Sequence, residues 1–155
     1  MIPSKDPINP TTSEARTLAA DLLTSARHAA LGVITSDGLP SVTRVATLWH
    51  DHAALILISE LSSHAQALAA NPATSLLVGE PGPKGDPLTH PRLTLQATAQ
   101  PADKAALKQT WLAAHPKSKL FYDFTDFQMV RLVPQVAALN GGFGKAYALT
   151  PADLP

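Results

Sequence analysis

The sequence predicts a mainly β (α+β) protein, an antiparallel barrel of six or seven strands with helices packed against it. Short apolar runs follow one another at intervals of about 8–12 residues and are separated by tight-turn signals, as in small all-β barrels. Hydrophobic residues make up 45% of the 155 residues, which suffices for one substantial core. We therefore expect an N-terminal arm over residues 1–10 and a single domain over residues 11–155.

The composition excludes several classes of function. Twelve basic and 12 acidic residues give a net charge of zero, and no basic run offers a surface for nucleic acid or anionic lipid. The absence of cysteine excludes disulfides and thiolate metal sites. The first residues lack the apolar core of a signal peptide, and no run approaches the roughly 20 apolar residues of a membrane span. We expect a soluble cytoplasmic protein without nucleic-acid or membrane partners.

The first half of the chain predicts one helix and three strands. Thr11 and Glu14 have the spacing of a capping box, and apolar residues on one helical face follow them, so a helix is predicted over residues 12–28. Asp37-Gly38 is a strong hairpin signal between the first two strands. These three strands are predicted over residues 30–35, 40–49 and 53–59.

The second half predicts a short helix before Asn71-Pro72, then further strands. Residues 81–91 hold so many prolines and glycines that they must form a loop. Pro101 near the first turn and Pro116 beyond the last predict a helix over residues 101–115. The remaining strands are predicted over residues 75–80, 92–99, 127–134 and 135–140, and the segment GGFGKAY (141–147) follows them.

Polar side chains are predicted to cluster where the third strand passes into the short helix. If the second and third strands pair around their intervening turn, Arg44 lies directly opposite Ser59 on one face of the sheet. The helix that follows begins with unpaired, partially positive N–H groups, and Ser63 and His64 lie in its first turn. This convergence predicts a phosphate-binding site.

Each of these residues also has an ordinary structural explanation. Ser62 or Ser63 would serve as N-cap of any helix that begins here. His64 could be a solvated helix residue, and Arg44 could pair with a carboxylate on the strand surface. The choice between the two interpretations depends on the strand register.

Three other patterns are weaker. His50 and His52 place two imidazoles near one turn, but the sequence supplies no third ligand nearby, so no metal is expected. His90 and Arg92, beside the proline-rich loop, could reach a ligand or simply cap the strand. The segment GGFGKAY lacks the spacing of a dinucleotide-binding fingerprint, and its glycines more readily permit positive φ at a bend.

The segment SELSSH (59–64) resembles the pyridoxamine 5′-phosphate oxidase-like FMN-binding split barrels. Within them it is similar to the haem-utilisation (HugZ-like) branch, which has Ser-x-Leu-x-x-His at this place. The later patterns YDFTDFQMVRLVP (122–134) and GGFGKAYALTPADL (141–154) extend the resemblance over about residues 14–154.

The resemblance implies an antiparallel split β-barrel that binds FMN at the interface of a homodimer. The residues that match cofactor-binding positions are Arg44, Ser59, Ser63 and His64 for the flavin phosphate, the main chain of Val45, Ala46 and Thr47 with the Thr47 side chain beside the isoalloxazine ring, and Arg92 at the flavin edge. The apolar side chains of Phe121, Phe124, Phe127 and Met129, with GGFGKAY, are candidates for the dimer patch, and core packing is their alternative.

Two departures from the family pattern bear on activity. Pyridoxamine phosphate oxidases have an Arg-Lys pair where this chain has His64-Ala65, and their C-terminal Arg-x-His pair has no counterpart after Gly142. The sequence stops at Pro155 without the haem-ligating extension of longer haem-degrading relatives, and its last histidine is His115. We expect a flavin-dependent oxidoreductase of unknown substrate, with no catalytic side chain identified. The alternative is a non-catalytic FMN- or haem-binding protein for storage, sensing or delivery.

Overall fold

The structure is a computed structural model and describes residues 6–155. Six strands close an antiparallel barrel in the order β2-β3-β4-β7-β6-β5, and two shorter strands extend the sheet beyond β7. The predicted class, a mainly β antiparallel split barrel with flanking helices, is confirmed. The strands are β1 (Ile8–Asn9), β2 (His28–Ile34), β3 (Pro40–His50), β4 (Ala53–Ser59), β5 (Ala73–Val78), β6 (Arg92–Pro101), β7 (Phe127–Asn140) and β8 (Ala146–Leu149), and the helices are α1 (Ser13–Ser25), α2 (Ser63–Ala70) and α3 (Lys108–Ala114).

Helix α1 covers one end of the barrel. Its N-cap is Thr12, whose hydroxyl accepts a hydrogen bond from the N–H of Ala15 at 3.1 Å. The capping box predicted at Thr11 is therefore wrong by one residue. The helix also ends earlier than residue 28, because the chain turns extended at Ala26 and Arg27 donates to the carbonyls of the last turn. The side chains that α1 buries are Ala15, Ala19 and Leu23.

The β3–β4 hairpin turns as its sequence predicts. Asp51 and His52 both have positive φ, 48° and 62°, which is the conformation of a two-residue type I′ turn. The register predicted from this turn is observed from the pair His50–Ala53 to the pair Thr47–Ile56. The local part of the strand-pairing prediction is therefore correct.

Beyond Thr47–Ile56 the two strands separate. From there β3 continues in register with β2, as far as the pair Ile34–Pro40, and β4 continues against β7, as far as the pair Ser59–Phe127. Arg44 and Ser59 are consequently not ladder partners. Within residues 6–155 the separation leaves residues 40–46 with one strand edge that pairs with no other strand, and we call it the open edge of β3.

The second half of the chain differs from the prediction in three elements. Residues 127–134 and 135–140 form the single strand β7, which accommodates Pro134 where the register of β6 shifts between Gln96 and Ala97. Strand β8 lies within a segment where no strand was predicted. Helix α3 begins only at Lys108, because β6 runs on to Pro101 and Asp103 then turns the chain.

Two apolar cores hold the fold together. One fills the barrel interior beneath α1 and α2. The other lies between the outside of β4 and β7 and helix α3, where Trp111 is fully buried and donates its indole N–H to Ser118 Oγ at 3.1 Å. Met129 is buried in this second core, and Phe121 and Phe127 pack against it. Phe124 and Phe143, in contrast, are 56% and 83% exposed, so only part of the predicted dimer patch lies in the core.

The helices of the described chain, residues 6–155, include none that is long and apolar enough to cross a membrane.

Candidate cofactor-binding site

The predicted site residues on β3 divide between the two faces of the strand. Val45 and Thr47 point inward and are 6% and 2% exposed. Thr47 is fully engaged inside the chain: its hydroxyl donates to Leu55 O at 2.9 Å, and its carbonyl accepts from His115 Nε2 at 2.8 Å. Its N–H donates to Arg27 O at 2.9 Å, so Thr47 has no free polar group, and only main-chain groups of the preceding residues lie on the open edge of β3.

Arg44 lies on the outer face of the same strand. Its side chain is exposed, and within residues 6–155 the guanidinium group has no ion-pair partner. Ala46, two residues on, is half-buried beside the second core. The alternative in which Arg44 pairs with a surface carboxylate is therefore not observed, and its donors are available to an anion.

Ser62, rather than Ser63, caps helix α2. The Ser62 hydroxyl accepts from the N–H of Ala65 at 3.3 Å and donates to the carbonyl of Ser59 at 2.6 Å. Ser63 is exposed, and its hydroxyl makes no hydrogen bond with any other described residue. Ser62 is thus used as the cap, whereas the Ser63 hydroxyl and the amides of Ser63 and His64 have no partner in the described chain.

His64 joins the first turn of α2 to β3. Its Nδ1 lies 3.0 Å from the hydroxyl of Thr43, the residue before Arg44. Burial lowers the pKa of the half-buried imidazole from its ordinary value, because desolvation penalises the charged form. Burial therefore favours the neutral form of His64 in the ligand-free chain. The contact brings His64 next to Arg44 along β3, although Thr43 and Arg44 point to opposite faces of the strand.

Ser59 ends β4 beside an acidic group. Its hydroxyl donates to Asp126 Oδ2 at 2.7 Å and accepts from the N–H of Leu61 at 3.2 Å. The proton of this hydroxyl is thus committed to a carboxylate. Ser59 can donate to a phosphate only by giving up that bond.

The donors left without a partner in the described chain, on either side of the Thr43–His64 contact, are therefore Arg44, the Ser63 hydroxyl and the amides of Ser63 and His64. The amides of Ala65 and Gln66 are already bonded to the Ser62 side chain and carbonyl. A partially positive helix terminus with a free arginine and a free hydroxyl suits a small, highly charged anion such as a terminal phosphate. These four donors therefore fit a terminal phosphate group.

Arg92 lies elsewhere on the barrel. Strands β2 and β5 separate β6 from β3, a distance of roughly 14 Å at the ordinary spacing of neighbouring strands. The guanidinium donates to Leu88 O at 2.8 Å and to His90 O at 3.3 Å, and it lines a separate cavity of about 410 Å³ beside the exposed ring of Phe143. Within one chain the structure does not bring Arg92 together with Arg44.

Two residues of the site escaped the sequence analysis, Thr43 and Asp126. Thr43 alternates with Arg44 along β3, so strand periodicity alone was enough to place it on the opposite face, toward α2. Asp126 reaches Ser59 only because β4 pairs with β7, a pairing between distant parts of the chain that no local pattern signals.

Replacing Ser62 with alanine is expected to destabilise the fold by about 1 kcal/mol, because the N–H of Ala65 loses its side-chain acceptor. Ser63→Ala, next along the chain, removes no cap and is the matched control. Urea unfolding of both variants measures the difference. An equal loss in the two variants, or a larger one in Ser63→Ala, would show that the cap is assigned to the wrong serine.

The described residues contain no group of three or more His, Asp or Glu side chains placed to hold a metal ion. The imidazole of His52 instead lies 3.1 Å from the carbonyl of Pro155.

No family model matches the chain. Two curated proteins do resemble it. The "Non-canonical heme oxygenase HOZ, chloroplastic" of Arabidopsis thaliana is 34% identical over 102 residues, which are 63% of this chain and 30% of that protein. "Heme oxygenase HutZ" of Vibrio cholerae is 25% identical over 131 residues, which are 80% of this chain and 74% of that protein.

Solved structures superpose over most of the chain. A heme binding protein from Mycobacterium smegmatis gives a TM-score of 0.84 at 26% identity, over 94% of this chain and 60% of its own length. A protein of Clostridium acetobutylicum related to general stress protein 26, of the pyridoxinephosphate oxidase family, gives 0.71 at 15% identity, over 90% and 96%, and so matches in fold alone. The chain therefore spans about a third of the plant protein and three fifths of the mycobacterial one.

Proposed function

Because the chain belongs to the pyridoxamine 5′-phosphate oxidase-like split-barrel family, in its haem-utilisation (HugZ-like) branch, we propose that it is a homodimer that binds FMN and acts as a flavin-dependent oxidoreductase. The observation that carries this proposal is the set of uncommitted donors around the first turn of α2. Arg44, the Ser63 hydroxyl and two helix amides have no other partner in the described chain and would bind the flavin phosphate.

The isoalloxazine ring would lie along the open edge of β3. The Val45 side chain points inward, so only main-chain groups of residues 44–46 would face the ring, and Thr47, whose N–H and C=O are already bonded, would lie at its border. Unpaired main-chain N–H and C=O groups need partners, and a flavin edge has both donors and acceptors. FMN, when bound, supplies the transfer of electrons. Given its distance from β3, Arg92 would contact the far end of the cofactor or the cofactor bound by the partner subunit.

The outer face of the barrel supports the homodimer. Across the sheet, Val42 is in register with Gly32, Ser75, Gln96 and Val136, and the neighbouring row contains Arg44, Ala30, Leu77, Thr94 and Ala138. We call these two rows the outer apolar face. Arg44 carries the only charge in it, while Val42 is 71% exposed.

A face of this kind is suited to a second copy of the chain. Five strands contribute to it, and interface cores are depleted in charged residues. A two-fold axis through the face would pair it with itself. Because Arg44 lies in the second row, beside the open edge of β3, the phosphate would then be bound at the boundary between two subunits.

Titration of the apoprotein with FMN, FAD and riboflavin tests the proposal. A site that recognises a terminal phosphate binds FMN more tightly than riboflavin, which lacks it, and FAD, in which it is esterified. Flavin fluorescence quenching gives the three affinities directly. Equal affinity for FMN and riboflavin would contradict the phosphate site.

Haem binding is the second candidate function, because the relatives from Arabidopsis, Vibrio and Mycobacterium carry haem in their names. The alternative protein would bind FMN or haem without catalysis, for storage, sensing or delivery. The absorption spectrum after separate addition of FMN and haemin distinguishes the two cofactors, since their bands differ. Reduction of bound flavin by NADH or NADPH, followed by a panel of electron acceptors, distinguishes an oxidoreductase from a binding protein.

FMN affinity is expected to decrease as the pH rises from about 6.5 to 8.5. Burial holds the pKa of His64 below its ordinary value in the free protein, and a nearby dianionic phosphate would raise it on binding. Binding then takes up a proton between the two pKa values, so affinity is highest at the low end of this range and falls toward the high end. Above about pH 6.5 the phosphate itself is already mainly dianionic.

The matched variant is His64→Gln, which retains a polar side chain next to Thr43 but does not titrate. Its FMN affinity should be constant over the same pH range. Identical pH profiles for the wild type and His64→Gln would exclude a charged His64 from the phosphate site.

A further inference from the structure

A chain of hydrogen bonds begins at Asp126 and ends at the amide of Ala65 in helix α2. Asp126 Oδ2 accepts from the Ser59 hydroxyl at 2.7 Å, and the Ser59 oxygen accepts from Leu61 N at 3.2 Å. The Ser59 carbonyl accepts from the Ser62 amide at 3.0 Å and from the Ser62 hydroxyl at 2.6 Å. Ser62 Oγ in turn accepts from Ala65 N. Ser59 thus accepts the hydrogen bonds from Leu61 N, Ser62 N and the Ser62 hydroxyl and joins the turn to α2.

The main chain of Asp126 holds the same turn from a second point. Its carbonyl accepts from Glu60 N at 2.7 Å, immediately before β7 pairs with β4 at Phe127 and Ser59. The residue therefore fixes both the side chain of Ser59 and the backbone that follows it. Asp126 itself is only partly exposed, so its carboxylate is held beside the turn rather than free in solvent.

The negative charge of Asp126 is unfavourable for phosphate binding at the neighbouring site. A carboxylate next to a bound dianion repels it, so the negative charge lowers phosphate affinity rather than raising it. The carboxylate does supply a strong acceptor for a hydroxyl. Any favourable contribution of Asp126 to the site therefore comes from the way in which its hydrogen bond with Ser59 fixes the geometry of the turn.

We propose that Asp126 is a positioning residue of the phosphate site, acting through Ser59 to fix the turn of residues 60–62 and thereby the direction of the free amides of α2. This role rests on the proposed binding of FMN. Ser59 then serves the site as the link between Asp126 and the turn, with its proton directed at the carboxylate, and the direct donors to phosphate are the remaining members of the cluster.

Two substitutions at position 126 separate geometry from charge. Asp126→Ala removes the acceptor and is expected to weaken FMN binding about tenfold, the scale of one hydrogen bond, while riboflavin affinity stays within about twofold. Asp126→Asn retains an acceptor oxygen and removes the charge, so its FMN affinity should equal or exceed that of the wild type. Asp123→Ala, three residues away and outside the hydrogen-bond chain, is the matched control and should bind both flavins normally.

Ser59→Ala gives an independent measurement if Asp126→Ala folds poorly. It should lose FMN affinity at least as strongly as Asp126→Ala. Adding Asp126→Asn or Asp126→Ala to the Ser59→Ala background should then cause no further loss, because the link is already absent. Melting temperatures of all variants confirm that folded protein is compared.

Three results would overturn the positioning role alone. These are unchanged FMN affinity in Asp126→Ala, equal losses in Asp126→Ala and Asp126→Asn, and a parallel loss of FMN and riboflavin affinity. Equal affinity of the wild-type protein for FMN and riboflavin would instead overturn the phosphate site itself and, with it, any role of Asp126 there.

Discussion

Arg44→Ala is expected to weaken FMN binding by about 1.5–3 kcal/mol, a factor of roughly 10 to 150, and to leave riboflavin affinity unchanged. The guanidinium of Arg44 has no ion-pair partner in the described chain, so its removal costs the fold little. The substitution removes charge-assisted hydrogen bonds to the phosphate, and riboflavin has no phosphate to make them. Fluorescence titration with both flavins measures the two affinities.

Two further variants define the effect of Arg44. Arg44→Lys retains the charge without the planar fork of donors, so its loss should be intermediate. Arg16→Ala is the control: Arg16 lies near the start of α1 and is paired with Asp153, so FMN affinity should not change. Equal weakening of FMN and riboflavin in Arg44→Ala would mean that the residue supports the ring or the fold rather than the phosphate.

Val42→Glu is expected to dissociate the dimer and to abolish FMN binding in the same concentration range. Val42 is 71% exposed in the single chain, so the substitution is tolerated by the isolated barrel. In a two-fold assembly through the outer apolar face it would bury an unpaired carboxylate in each subunit, at a cost of several kcal/mol. Light scattering should show the mass fall from about 33 kDa, twice the chain mass, to the 16.3 kDa of one chain.

Leu120→Glu is the matched control for Val42→Glu. Leu120 is similarly apolar and 81% exposed, but it lies in the helical segment beyond α3, away from the outer apolar face. The Leu120 variant should remain dimeric and keep its flavin. Dissociation by Leu120→Glu instead of Val42→Glu would move the interface to that side. A wild-type monomer that retains FMN at low micromolar concentration would contradict an interfacial site altogether.

The parts of the fold that were predictable from sequence are those decided by neighbouring residues. The Asp51-His52 turn sets the hairpin register because two left-handed residues fit only one tight connection. The same reasoning failed at Arg44 and Ser59, each seven residues from the turn. There the competition between β7 and β3 for the end of β4 decides the pairing, and β7 is distant in sequence.

Other differences have similar origins. The sequence predicts two strands over residues 127–134 and 135–140, whereas β7 is continuous, because one extra residue, Gln135, opposite the step from Gln96 to Ala97 lets the pairing with β6 continue past Pro134. Residues 101–107 have helical composition, but pairing with β7 extends β6 through the first of them. The components of the site on α2 were visible because caps and helix termini are local features. Asp126 was not, since only the folded sheet brings it to Ser59.

The open edge of β3 also connects ligand binding with folding. Strand β3 changes its partner at residue 47: in the described chain residues 47–50 pair with β4 and residues 40–46 pair with β2, and Thr47 N also donates to Arg27 O at 2.9 Å. A flavin along residues 40–46 would take the place that β4 vacates and would supply hydrogen-bond partners to the open edge of β3. Its binding free energy would then add directly to the free energy of unfolding, and the cofactor would be a structural member of the barrel as well as its reagent.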